Sequence, residues 1–470
     1  MRTGVSNAPA WFSAALVLGV GVGTLVGQTA GLESVAAPAR IGFLVWLVVN
    51  LHRLRGVERG FLAASLAATA LVLAFLPQPW PVLVEGLDRA AMFLTFVATL
   101  NLLRDSAQSS IAVRRAGHYL ITQSPPRRYA AITLGGHIFT VALNMGALNL
   151  IGSMIHRSNT LAAAGGDPAI VAIRERRMMS ALMRGFGSTL MWSPLGVSVA
   201  YTLSLIPSLT WFDVAPIGVL IAFAWMATGW LLDRLEWPPS ARRATLPPPR
   251  PASPREALPM LGITTLLVIG VIVVKLVLGI SLLYAVMTAV PFMALIWIAA
   301  QYARFGVRFV ATASVRRLRQ HALVLLPQAR PEAIVLAGAG YIGVTLAALV
   351  DAGGLSSLLS TLTLPPAVLA FGAFLLILLP AQIGVTPLVT ATIVGSTIAQ
   401  MNPVPLPPLA LVLAMQAGWS LSSSTSPYTG GPLMLARLMG KKPTVIQQWN
   451  ARYAAACALI IAITLGVWLG

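Results

Sequence analysis

Residues 420–431 read Ser-Leu-Ser-Ser-Ser-Thr-Ser-Pro-Tyr-Thr-Gly-Gly and follow directly on the apolar run LALVLAMQAGW. A helix interrupted there sets the hydroxyls of Ser423, Ser424, Thr425 and Ser426 beside Pro427 and frees main-chain carbonyls. Oxygen donors of this kind suit a hard cation. The helix that restarts at the glycines offers N–H groups and partial positive charge to an anion. An earlier stretch has the same composition, with Gly187-Ser188-Thr189 leading to Ser193-Pro194-Leu195-Gly196. Two more apolar runs are broken in their middles, at Leu143-Asn144-Met145-Gly146 and at Gln382-Ile383-Gly384-Val385-Thr386-Pro387.

From these four breaks the candidate solute-binding residues are Asn144, Gly146, Ser188, Thr189, Ser193, Pro194, Gln382, Gly384, Thr386, Ser423, Ser424, Thr425, Ser426 and Pro427. Asn144, Thr386, Ser424 and Thr425 are the candidate Na⁺ ligands. Each has a plainer reading: Ser and Thr let helices approach closely, and Asn is a preferred helix cap. The breaks hold no Asp or Glu, so a site of hydroxyls, amides and carbonyls favours Na⁺ over H⁺ as the coupling ion. No other cofactor is implied.

The elements that must position these residues are membrane helices. The chain is 57% hydrophobic and 10% charged, with a mean hydropathy of +0.81, whereas soluble domains carry about 25% charged residues. An all-α polytopic membrane protein is the only class that fits. The net charge of +19 is spread over short loops, as the positive-inside rule expects, and not gathered in a nucleic-acid-binding domain. The first apolar run reads as a span and not as a cleaved signal peptide. The single cysteine, Cys457, excludes an intrachain disulfide and a multi-cysteine metal site.

Spans of roughly 20 residues are predicted at 10–28, 36–52, 60–77, 86–103, 214–232, 259–279, 282–301, 332–352 and 453–469, with broken helices at 179–206 and 408–436. The total is about eleven spanning helices. The basic linkers at 52–59, 104–128, 233–257, 302–330 and 437–452 all fall on the cytoplasmic side only if 129–155 and 365–400 return to the side they entered from. Both are therefore predicted as re-entrant hairpins, opening to opposite sides. The N-terminus is then cytoplasmic and the C-terminus outside.

The resulting order is an inverted repeat. Residues 1–85 supply N-terminal scaffold helices, 86–232 a first transport repeat, and 233–257 a cytoplasmic linker rich in Pro and Arg. Residues 258–331 supply further scaffold helices and 332–470 a second transport repeat. Paired discontinuous helices meeting near the bilayer midplane are where inverted-repeat transporters bind their cargo.

The two hairpins and two broken helices, sharpest at 129–205 and 364–440, resemble the ion transporter superfamily. That group includes the divalent-anion/sodium symporters, the arsenite-efflux-like permeases and the large membrane subunits of tripartite periplasmic transporters. The resemblance implies a dimeric scaffold, an elevator-type movement and residence in a bacterial-type inner membrane. The hairpin tips depart from the family's Ser-Asn-Thr signature of sodium-coupled dicarboxylate carriers. The expected function is a secondary active transporter for a small anionic solute, a cation-coupled symporter that acts as a homodimer. Whether a separate partner subunit is needed stays open.

Other classes stay open too. Trp192, Trp211 and Trp419 near the breaks would suit a lipid-linked or aromatic substrate. A channel shares the broken helices, and saturable kinetics would separate it from a carrier. A membrane-embedded enzyme would need a catalytic constellation that the sequence does not show. Among ionisable residues within spans, His137 could couple protons but is expected to make a structural hydrogen bond. Arg184, about one turn before the first break, could hold an anion but is expected to reach toward the cytoplasm.

Overall fold

The computed structural model of the chain describes residues 8–237, 253–362, 364–401 and 406–469. The extreme N-terminus, the centre of the 233–257 linker and most of the turn at 402–407 lie outside the described residues. Among the described residues the secondary structure is helical throughout, with no strand.

Two compact units divide the chain. One comprises Met1–Ser106 with Gly270–Asp351, the other Ala107–Ile269 with Ala352–Gly470. The first holds α1 (Ala8–Ala30), α2 (Glu33–Asn50), α3 (Gly56–Phe75), most of α4 (Pro79–Gln108), α12 (Leu282–Tyr302), α13 (Val307–Gln320) and α14 (Arg330–Ala347). α11 (Leu258–Leu278) runs across the division. The repeats expected from the sequence begin at 86 and 332, whereas α4 and α14 pack inside the first unit. Asp88 on α4 accepts from Arg40 Nε on α2 at 2.7 Å. Tyr341 on α14 shares a 2.6 Å hydrogen bond with Thr69 on α3. α1 and α2 approach so closely that a Cβ on Gly27 would lie 2.8 Å from the Ala36 nitrogen, the small-residue contact by which lipid-embedded helices associate.

The second unit carries one order of elements twice. First come α5 (Ile111–Ile121), the hairpin α6 (Pro125–Leu143) and α7 (Met145–Ser158), the broken helix α8 (Pro168–Thr189) and α9 (Val197–Leu205), and the long α10 (Trp211–Glu236). Then come α15 (Ala352–Leu362), the hairpin α16 (Pro366–Ala381) and α17 (Pro387–Gln400), the broken helix α18 (Pro408–Thr425) and α19 (Gly430–Met439), and the long α20 (Pro443–Leu469).

Among the described residues seven helices are long and apolar enough to cross a membrane, or eight if the pair bent by 59° at Arg330 counts as one span. The expected total is larger because it counted both broken helices. Their first halves are long enough but interrupted by arginines in α8 and by a glutamine and the serine run in α18, and their second halves span only 9 and 10 residues. It also counted α4, whose apolar centre is flanked by Glu85, Asp88 and Arg89 at one end and Arg104 and Asp105 at the other.

Local chemistry moves several boundaries. Residues 156–178, between the predicted hairpin and the predicted broken helix, are largely helical: Asp167 caps α8 by accepting from the Ala169 nitrogen at 2.8 Å, and Pro168 occupies the first helical position, where its missing N–H costs nothing. Basic residues in 302–330 sit on α13 and not in an irregular linker. The serine run is also helical. α18 continues through Thr425, so the second break is confined to Ser426–Thr429.

Candidate functional site

Each hairpin in the second unit is fixed to its own broken helix through a glycine. A Cβ on Gly185 of α8 would lie 2.2 Å from the Thr133 carbonyl of α6, and a Cβ on Gly418 of α18 would lie 2.6 Å from the Phe374 carbonyl of α16. Backbone-to-backbone contact of this closeness admits no side chain.

The second contact in each repeat is polar. His137 on α6 accepts the Trp192 indole N–H at Nε2 across 2.9 Å. An indole nitrogen can only donate, which assigns the imidazole proton to Nδ1. That proton is aimed at Ser188 Oγ at 3.0 Å and Thr189 Oγ1 at 3.1 Å. The imidazole thus holds the end of α8 against the hairpin. In the second repeat Ser426 donates its hydroxyl to the Ala381 carbonyl, the last residue of α16, at 2.6 Å.

The repeats also engage one another. α18 crosses α8 where Ser420 donates to the Gly187 carbonyl at 2.5 Å, and a Cβ on Gly187 would lie 1.7 Å from Ser424 Oγ. The second arm of each hairpin packs on the second half of the other repeat's broken helix. Gly152 of α7 rests against Leu435 and Leu438 of α19, and Thr392 of α17 bonds Tyr201 of α9 at 2.8 Å. Gln416 of α18 completes the set by donating to Thr202 of α9 at 3.1 Å.

Both hairpin turns touch the second break. The Met145 Cε atom comes within 2.6 Å of a Cβ built on Gly430, and Tyr428 lies 3.7 Å from one built on Gly384. Asn144 is the one non-glycine with positive φ among the described residues, at φ 49. Asparagine tolerates that region better than other residues, and it separates α6 from α7. Its side chain forms no cap hydrogen bond, so here Asn144 serves as a turn residue and not as a cap. Gly146 is buried in the first turn of α7. Thr386 does cap, accepting from Val389 N, with Pro387 next to it, while Gly384 takes φ 103. Gln382 bonds the Leu378 carbonyl and accepts from Gln447 at 3.2 Å.

The hydroxyls of the serine run are largely engaged within their own helix. Ser422, Ser424 and Thr425 donate to the carbonyls of Trp419, Ser420 and Leu421. Each of these oxygens keeps its capacity to accept, and Ser424 Oγ lies against Gly187 at the crossing. Ser423 forms no side-chain hydrogen bond among the described residues. Pro427 ends α18 because it has no N–H to return to the Ser423 carbonyl, and the carbonyls of a helix C-terminus carry partial negative charge. Ser193 is buried with an unpartnered hydroxyl. It and Pro194 follow the part of the first break that leans on α10, where Trp211 donates to the Trp192 carbonyl at 2.7 Å. Among the described residues no side-chain hydrogen bond joins Ser193 to α18.

Several residues in this junction carry no signal in the sequence motifs. Gln416, Tyr201, Thr202 and Thr392 belong to it, and only Gln416 stands out in sequence, as an amide within LALVLAMQAGW; Ser420 opens the serine-rich motif but is not among the candidate ligands. Arg184 does not reach toward the cytoplasm. It is 5% exposed and bonds Tyr129, Asn450 and the Gly229 carbonyl, so the neutral acceptors around it outweigh the pull of water. Trp419 packs edge-on against Tyr201, with ring centres 6.4 Å apart, and with Trp192 and Trp211 it serves the internal framework.

No family model matches the chain, and no curated protein matches it. The chain is similar in structure to a crystal structure of the Alcanivorax borkumensis YdaH transporter, described as having an unusual topology. The TM-score is 0.56 at 14% identity, covering 88% of this chain and 98% of that one. At this identity the likeness shows a shared fold, and the apolar helices mark the chain as an integral membrane protein.

Proposed function

We propose that this protein is a secondary active transporter that carries a small anionic solute across a bacterial-type inner membrane, coupled to Na⁺. The observation that carries the reading is the crossing of two interrupted helices at Gly187 and Ser420, with both hairpin turns against the second break. Broken helices meeting in this way are the usual site of solute and coupling ion in such carriers. The two halves of the second unit form an inverted repeat and move as the transport body of an elevator. The first unit is the scaffold and dimer platform.

The helix N-termini at Gly430 and Met145 supply N–H groups to the anion, and Asn144 and Ser423 supply its side-chain contacts. Na⁺ is served by oxygen donors alone: the hydroxyls of Ser424 and Thr425, Thr386 near the second hairpin turn, and the α18 carbonyls that Pro427 leaves without a donor. The chemistry of the donor set fits, since no group there must lose a proton for the cation to bind. Trp192, Trp211 and Trp419 are occupied by internal contacts, which gives an aromatic substrate less support than an anion.

The test is uptake into proteoliposomes of labelled carboxylates and inorganic oxyanions, with and without an inward Na⁺ gradient. Saturable, Na⁺-driven uptake of one anion class is the expected result. Flux that rises linearly with concentration, indifferent to Na⁺, would identify a channel instead.

A further inference from the structure

A second polar centre lies about one turn before the helix crossing on α8, where the last turns of α10 meet the first turns of α20. Arg184 of α8 donates from Nε to Asn450 Oδ1 at 3.0 Å, from Nη1 to Tyr129 at 2.8 Å and to the Gly229 carbonyl at 3.1 Å, and from Nη2 to the Trp449 carbonyl at 3.4 Å. Its guanidinium also lies 4.8 Å from the Tyr453 ring centre. Every one of these partners is neutral. A buried charge is costly without compensation; in membrane proteins such charges pair with one another or with main-chain carbonyls. Arg184 meets carbonyls and neutral side chains but no carboxylate among the described residues.

The guanidinium forms one wall of a cavity of about 490 Å³ that Arg176, Arg452, Glu236, Trp449 and Leu235 also line. Glu236, the cavity's one carboxylate, is already paired with Arg176. The positive charges of Arg184 and Arg452 are therefore unmatched within it. Depth is indicated by the aromatics. Arg234 stacks over Trp230 and Arg176 over Trp237, the pairing of aromatic and basic side chains that marks a membrane interface. Beside the cavity α10 presents an apolar face, with Leu220, Phe223, Leu231 and Leu235 all exposed.

We infer that this cavity binds a phosphate-bearing anion, supplied by the headgroup of an anionic phospholipid. The phosphodiester sits between Arg184 and Arg452, and the acyl chains lie along the exposed face of α10. Basic pockets between membrane helices recognise anionic headgroups in this way, and apolar burial along α10 favours a lipid over a free ion. The site stands independently of the transport reading.

The experiment is a thermal-unfolding titration of the full chain in detergent with phosphatidylglycerol, phosphatidylcholine and inorganic phosphate, alongside native mass spectrometry of retained lipid. Phosphatidylglycerol should stabilise and be retained, phosphatidylcholine should not, and Arg452→Gln should weaken the response roughly tenfold, the loss of one charge-assisted contact. Arg452 is exposed, so the unliganded variant should unfold at the wild-type temperature. Stabilisation by inorganic phosphate to the same extent, lost in Arg452→Gln, would uphold the anion site and assign it to a free ion. Equal responses to both lipids, or a response unchanged in Arg452→Gln, would overturn the inference.

Discussion

Ser420 on α18 donates its hydroxyl to the main-chain carbonyl of Gly187 on α8, and one turn further Ser424 fills the space a side chain at Gly187 would need. The two broken helices therefore meet with no side chain from Gly187 between them. Substituting Gly187→Ala should destabilise the protein by about 1–3 kcal/mol, the range for overpacking. Ser424→Gly in the same chain should recover part of that loss, because the two sites are in contact and couple. A double-mutant cycle read by thermal unfolding checks both. Strictly additive effects would mean that the helices do not cross here.

The glycines that face main chain should be less forgiving. At Gly185 and Gly418 the obstructing atoms are the carbonyls of Thr133 and Phe374, which cannot rotate away. Gly185→Ala and Gly418→Ala should each lower folded yield in detergent more than Gly187→Ala does. Gly372→Ala, on the open side of α16 with nothing within 4 Å of its Cβ, should be neutral. Size-exclusion profiles of the four variants give the ranking.

The imidazole of His137 should hold one tautomer. Trp192 donates to Nε2, so the proton belongs on Nδ1, and nitrogen NMR of histidine-labelled protein should show it there. Trp192→Phe removes the donor and leaves a buried acceptor unsatisfied, at about 1–3 kcal/mol. A stability equal to wild type in Trp192→Phe would mean that the contact is not made.

In the first unit Arg40 joins Asp88 and Glu33. The side chain of Glu33 is 71% exposed, against 24% for Asp88. Exposed pairs are weakened by solvent and salt, so Glu33→Gln should change little, while Asp88→Asn should cost clearly more. Thermal unfolding of the two single variants ranks them.

Much of the second unit could be read from the sequence because its features are punctuated by residue type. Asn144, Gly384 and the Thr386-Pro387 pair mark turns by their own backbone preferences, and Pro427 marks the end of a helix by its missing N–H. The lengths of the elements were less legible. Serine in a run reads as a break, yet Ser422, Ser424 and Thr425 bond back to their own helix and keep it intact up to Ser426. Asp167 extends α8 well before the hydropathy rises. The crossing itself was beyond sequence reasoning: the Ser420–Gly187 bond joins residues 233 positions apart, and no local pattern encodes that separation. Arg184 was misplaced for a related reason, since its acceptors come from Tyr129, Gly229 and Asn450, each distant in sequence.

The most direct measurement is thermal unfolding of wild type, Asn144→Gly, which keeps the positive φ of that turn accessible, and Ser423→Ala, titrated with Na⁺ and a panel of small anions. Neither side chain has a hydrogen-bond partner within the described protein, so removing it should leave the unliganded protein close to wild-type stability. Any lost response then reports on ligand, because a ligand raises stability by mass action only where it binds. Stabilisation of wild type by one anion class, strengthened by Na⁺ and diminished in both variants, is the predicted result. A wild type indifferent to Na⁺ and to every anion, or a response kept in full by both variants, would contradict a cation-coupled solute site at the helix crossing.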